Sequence, residues 1–136
     1  MAPALLGGFV VSAYDEGHVY SLKKTIAPGI TFAAFIPDFK LLTEKARAAL
    51  PKWCPTQAPC TIFPARAAGN GLLRGAVRLL PVAAKDSLHQ QYRLPLIGGG
   101  EAVFALADGL GALATFISGA GPTILSVVRT ARRTCF

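Results

Sequence analysis

Apolar residues in this chain fall into short runs separated by turn-forming residues, and the period of each run predicts its element. Phe9 to Ala13 alternates as a strand should, Asp15-Glu16-Gly17 supplies a turn, and His18 to Leu22 returns, which together predict a β-hairpin. Ile30 to Ile36 is almost continuously apolar and is closed by Pro37-Asp38; that pattern predicts a buried central strand. Near the other end, Leu113 to Ile117 and Ile124 to Val128 flank Ser118-Gly119-Ala120-Gly121-Pro122-Thr123. Strand, glycine loop and strand is the reading, because β-branched residues suit a pleated surface and Gly119 and Gly121 permit positive φ and close backbone approach.

Between the strands the period changes to that of helices. Ala4 to Gly8 has the form of a helix end closed by glycine. Thr43 to Leu50 predicts a helix with Thr43 as N-cap, Glu44 in the first turn and Pro51 as stop. Val82 to Tyr92 predicts another, followed by Arg93 and the exit Leu94 to Ile97 into Gly98-Gly99-Gly100, and Glu101 to Leu110 a third that stops at Gly111. From Cys54 to Arg78 neither period holds; prolines and glycines predict loop, although a structureless connection of that length is unusual inside a compact domain.

Composition sets the bounds. A length of 136 residues suits one domain, and 52% hydrophobic against 15% charged residues gives ample material for a core. The mean hydropathy of +0.46 raises the question of a membrane span over Ala102 to Val128. Asp108, Gly109, Gly111, Gly119, Gly121 and Pro122 interrupt that region and favour a buried core. The N-terminus lacks the basic flank of a signal peptide, so a cytoplasmic location is expected and no membrane partner. The net charge of +7 lies largely in Arg66, Arg74, Arg78, Arg129, Arg132 and Arg133; without these six the remainder is +1. Aromatics do not interleave with those cations, which argues against nucleic acid as a partner. Cys54, Cys60 and Cys135 show no metal-ligand spacing, and His18 and His89 form no evident pair, so no metal site is expected.

The segments FIPDFKLLTEKARAALP, DSLHQQYRLPLI and FISGAGPTILSVV, with the opening APALLGGFVVS, resemble in this order homoserine kinase, a member of the GHMP small-molecule kinase superfamily. The pair TEKAR and LHQQYR is specific to homoserine kinase, whereas the glycine loop alone would indicate only the superfamily. The resemblance implies an α+β fold, ferredoxin-like as in the superfamily's C-terminal domain, with an antiparallel sheet covered by helices on one face. Residues 1–28 would be a remnant of the N-terminal domain and residues 29–136 the C-terminal domain, incomplete at its end. The implied activity is ATP- and Mg2+-dependent phosphorylation of the side-chain hydroxyl of L-homoserine, a step toward threonine; self-association stays open.

Arg47 and Arg93 match the two arginines that hold the substrate carboxylate in the family, a task suited to a planar guanidinium fork. Thr43, in the same motif as Arg47, would lie near the substrate. Ser118, Gly119, Ala120, Gly121, Pro122 and Thr123 match the motif that packs beside the phosphate-binding loop and can offer it backbone N–H groups. No residue of this chain matches a catalytic position. The family's glycine- and serine-rich ATP-binding motif has no counterpart here, so the competing expectation is a catalytically inactive truncated or frameshifted product with at most a binding role. The family pattern VYNISRAALLV is likewise absent from Pro59 to Ala68. Reading permitted codons for that stretch in a neighbouring frame recovers a VYNISRA-like sequence, which suggests a compensated frameshift.

Overall fold

The computed structural model describes residues 2–52, 69, 71–86 and 88–130. Helix α1 (Ala2–Leu6) leads into an antiparallel hairpin of β1 (Phe9–Asp15) and β2 (His18–Lys24), as the alternation predicted. Phe9 stands opposite Lys24 and Asp15 opposite His18. Because side chains alternate, Val11, Ala13, Tyr20 and Leu22 share one face, and Ser12 and Ser21 share the other with their hydroxyls 2.9 Å apart. Both strands are exposed along almost their whole length.

A second, three-stranded antiparallel sheet is built from β3 (Ile30–Phe35), β4 (Ala114–Ile117) and β5 (Ile124–Arg129), in the order β3-β5-β4. The two strands expected on either side of the glycine loop are present and pair antiparallel, Ala114 opposite Val127 and Ile117 opposite Ile124. The expectation of a central β3 is corrected: among the described residues β3 lies at an edge of this sheet and β5 is central. An edge strand is covered less completely, so Ile30 and Phe35 pack into the core while Thr31, Phe32 and Ala34 stay exposed.

The core has two parts. Leu80, Ala114 and Val127 form one cluster, joined by Ile30, Leu72, Val77 and Phe116. Ile97, Ile117 and Ile124 form the other, joined by Phe35, Leu41, Leu94, Val103 and Phe104. Ala114 and Ile117 are three residues apart, as are Ile124 and Val127, so strand alternation puts the two clusters on opposite faces. Helix α5 (Gly100–Gly109) covers one face through Val103 and Phe104. It stops at Gly111, whose φ of 80° lets Ala112 N–H reach the Ala107 carbonyl and Gly111 N–H reach that of Asp108, both at 2.9 Å. The other face receives Leu72, Val77 and Leu80. Ser126, buried between the strands, shares a hydrogen bond with the Thr115 hydroxyl at 2.9 Å. The whole is α+β with antiparallel sheets.

Three further expectations change. Helix α2 (Thr43–Ala48) begins one residue earlier than expected: the cap is Leu42, extended at φ −62° and ψ 130°, and Thr43, expected as the cap, is the first helical residue. The predicted helix Val82 to Tyr92 is two short helices, α3 (Leu80–Ala83) and α4 (Gln90–Arg93). Asp86 separates them, since its Oδ1 accepts the N–H groups of Leu88 at 2.6 Å and His89 at 2.9 Å and so offers the backbone an alternative to helix. The end of the Cys54 to Arg78 stretch is not loop: residues 71–74 are helical, and a 3-10 turn at Val77–Leu79 runs into α3. Leu72 and Val77 there meet Leu80, enough apolar contact to hold the turns against the sheet. Pro59 to Ala68, where the frameshift is suggested, and Cys54, Cys60, Arg66, Arg132, Arg133 and Cys135 lie outside the described residues.

Candidate functional site

The chemistry gathers where α2, α4 and the β4–β5 loop meet. Arg93, the last residue of α4, is half-buried, and its guanidinium joins all three elements. Nε donates to the Ala46 carbonyl of α2 at 3.2 Å, and Nη1 donates to the Gly119 carbonyl of the loop at 2.9 Å. Since a guanidinium carries five N–H groups in a planar fork, donors remain on the Nη nitrogens for an anion. Arg47 follows Ala46 on α2 and is exposed, as is Thr43 at the start of the helix. Arg93 is thus tied to the turn of α2 that carries Arg47. Among the described residues neither arginine is paired with a carboxylate.

The loop is a built turn. Ser118 N–H donates to the Thr123 carbonyl at 2.8 Å, Gly121 N–H donates to the Ser118 carbonyl at 3.0 Å, and the Gly121–Pro122 peptide bond is cis. Gly121 has φ 87°, and a Cβ there would stand 3.2 Å from Ile97 Cδ1, 3.3 Å from Ile117 Cγ2 and 3.5 Å from Leu41 Cδ2. Glycine is required on both counts, backbone and space. Gly119 also has positive φ, but its Cβ would meet open space, as expected of the exposed side of such a loop. Two of the loop's N–H groups are occupied internally and Pro122 has none, which leaves Gly119, Ala120 and Thr123 as donors not committed to those two bonds.

Sequence reasoning missed Gln90 and the residues before it. Gln90 Oε1 accepts the Ile117 N–H at 2.9 Å, and Nε2 donates to the Ala84 carbonyl at 3.4 Å. His89 Nε2 lies 2.8 Å from Asp86 Oδ2, and His89 Nδ1 is buried with no hydrogen-bond partner. The available signal was the spacing of Gln90 and Arg93 in LHQQYR, three apart and so on one face of a helical turn. Nearby, a cleft of about 270 Å³ is lined by Phe35, Ile36, Pro37, Ile97, Gly98, Gly100, Val103 and Ile124 and is apolar.

The described residues gather no group of three or more His, Cys, Asp or Glu side chains that could hold a metal ion. With two loop N–H groups already taken, they also form no full cradle for a nucleotide's phosphates, so the site does not by itself fit ATP with Mg2+. No helix among the described residues is long and apolar enough to cross a membrane.

No family model matches the chain. Individual proteins do. The chain is 43% identical over 129 residues to the homoserine kinase of Clostridium beijerinckii, a match covering 94% of this chain and 43% of that protein. To the homoserine kinase of Caldicellulosiruptor bescii it is 39% identical over 127 residues, covering 93% and 41%. In fold it superimposes on the crystal structure of homoserine kinase from Cytophaga hutchinsonii with a TM-score of 0.86 at 27% identity, covering 96% of this chain and 41% of that one. The chain therefore spans about two-fifths of the length of the relatives it matches. In sequence and in fold it is similar to homoserine kinases, over a stretch that fits their C-terminal portion.

Proposed function

We propose that this chain carries the substrate-carboxylate end of a homoserine kinase, an enzyme that transfers the γ-phosphoryl group of ATP to the side-chain hydroxyl of L-homoserine. One observation supports it above the similarity itself: a single guanidinium, that of Arg93, ties the helix bearing Thr43 and Arg47 to the glycine loop. In this reading the free edge of Arg93 and the exposed Arg47 grip the α-carboxylate of homoserine, a planar fork against a planar anion. Thr43 lies beside the bound amino acid. The loop from Ser118 to Thr123 borders the phosphate path with its uncommitted N–H groups, the kind of electrostatic positioning on which phosphoryl transfer depends.

ATP and Mg2+ belong to the family's reaction, and the described residues supply no place for them, so the reading assigns this chain substrate binding and derives no transfer step from it. The hairpin β1–β2 is read as part of the N-terminal domain and residues 29–136 as the C-terminal domain, in a cytoplasmic enzyme of threonine biosynthesis. The second reading is a catalytically inactive product with a binding role.

The test has two arms. Titration of L-homoserine into the 15N-labelled chain, followed by NMR, is expected to move the amides of Arg47, Arg93 and Gly119; no perturbation at millimolar ligand would remove the substrate-binding assignment. A coupled ADP-release assay with ATP, Mg2+ and homoserine is expected to give no turnover. Turnover at ordinary kinase rates, roughly 1–100 per second, would refute the inactive reading.

A further inference from the structure

Helix α4 presents two side chains, one turn apart, to the same stretch of backbone: Gln90 accepts the N–H of Ile117 and Arg93 donates to the carbonyl of Gly119. These contacts bracket the point where β4 ends and the glycine loop begins. Among the described residues β4 is paired with β5 on one side only, so no described strand meets its outward N–H groups. The Gln90 carboxamide fills that place for Ile117, and its other end is held by the Ala84 carbonyl at the close of α3. A side chain anchored at both ends fixes an angle as well as a distance.

From this arrangement we propose that Gln90 is a positioning residue for substrate binding: it sets the take-off of the glycine loop from β4, and through the loop the place at which Arg93 is held. The proposal rests on the homoserine reading for its ligand. Its mechanical part does not. With Gln90 bonded, the loop is held from below by a carboxamide and from the side by a guanidinium, and Arg93 is steered to the Gly119 carbonyl rather than left to select among rotamers. Without Gln90 the loop base keeps only the Arg93 contact, and the same arginine must both hold the loop and bind the ligand.

Substitutions separate this role from simple packing. Gln90→Leu keeps similar volume and gives Ile117 N–H no acceptor; Gln90→Glu keeps an acceptor and gives up the donor to Ala84. If Gln90 merely filled space, leucine would serve at least as well as glutamate. The proposal requires the reverse order. Amide exchange of Ile117 in the full chain is expected to be about tenfold faster in Gln90→Leu, as for loss of one backbone-directed hydrogen bond, and close to wild type in Gln90→Glu. The Gly119 and Gly121 amide resonances are expected to move in the leucine variant without any ligand, and its L-homoserine affinity to fall about tenfold. Should Gln90→Leu fail to fold, Gln90→Asn is the second variant, with the same carboxamide one methylene short of Ile117 and the same losses expected. Equal exchange in leucine and glutamate variants overturns the proposal, as does unchanged homoserine affinity in a leucine variant whose loop has shifted. If the wild-type chain binds no homoserine, it is the substrate reading that falls, and the exchange comparison still decides whether Gln90 sets the loop.

Discussion

Two antiparallel sheets sit in one chain, built from similar residues, and they differ in what covers them. In the β1–β2 hairpin Val11, Tyr20 and Leu22 are 54%, 61% and 58% exposed on a shared face; in the β3-β5-β4 sheet Ile124 and Val127 are 2% and 1% exposed. Alternation in the sequence is as regular in the first as in the second. Pattern therefore specifies a strand, while burial depends on whether another element arrives to cover it. For the three-stranded sheet α5 arrives on one face and the turns around Leu80 on the other; for the hairpin the described residues include no such cover beyond α1 at its base. A two-stranded hairpin by itself is marginal in water, so the two sheets should answer mutation very differently.

The largest effect is expected in the covered sheet. Ile124→Ala removes buried atoms beside Ile97 and Ile117 and should destabilise by about 2–5 kcal/mol in denaturant unfolding. A change below about 1 kcal/mol would mean that this sheet is as loosely covered as the hairpin.

Next comes Arg93→Lys, which keeps the charge and loses the fork. Because the guanidinium reaches both Ala46 and Gly119, lysine cannot satisfy both and present a bidentate edge. L-homoserine binding, measured by titration, is expected to weaken by about 1.5–3 kcal/mol, and retained affinity would show that Arg93 is a strut between elements and no ligand contact. Gly121→Ala follows at about 1–3 kcal/mol of stability, from a strained positive φ and from a Cβ pressed against Ile97 and Ile117. Its thermal midpoint is the measurement, and an unchanged one would mean that the loop base yields.

The smallest effect sharpens the contrast from the other side. Val11→Ala on the hairpin should change global stability by no more than about 0.5 kcal/mol, as exposed substitutions usually do. A loss comparable with that at Ile124 would reveal that the hairpin face is covered in solution.

Much of this architecture was legible in the residues, for reasons that mark the limits as well. The strands around Gly119 could be read because β-branched runs and a glycine loop act locally, and α5 because Val103, Leu106, Ala107 and the Gly111 stop all speak within one helix. Which strand is central could not be read, since the order β3-β5-β4 depends on contacts some ninety residues apart. The break between α3 and α4 was missed because Asp86 looks like any polar residue on a helix until its side chain is seen to hold the N–H groups of Leu88 and His89. At the candidate site, Arg47 and Arg93 were singled out through motif resemblance and the loop through its glycines. Gln90 was not: its spacing from Arg93 puts the two on one face of a turn, but a carboxamide in a polar run does not say which N–H it meets.

The hydroxyl pair of half-buried Thr115 and buried Ser126 has a consequence for the loop above it. Sliding β4 by one residue against β5 would turn one of those hydroxyls toward the opposite, apolar face and leave its partner buried without a bond, a loss of roughly 1–3 kcal/mol. Such a slip would also lengthen or shorten the connection between the strands by a residue. The pair thus works as a length gauge: two rungs below the bend, it holds the number of residues in the glycine turn at the value that lets Gly121 nest against Ile97 and Gly119 turn its carbonyl to Arg93.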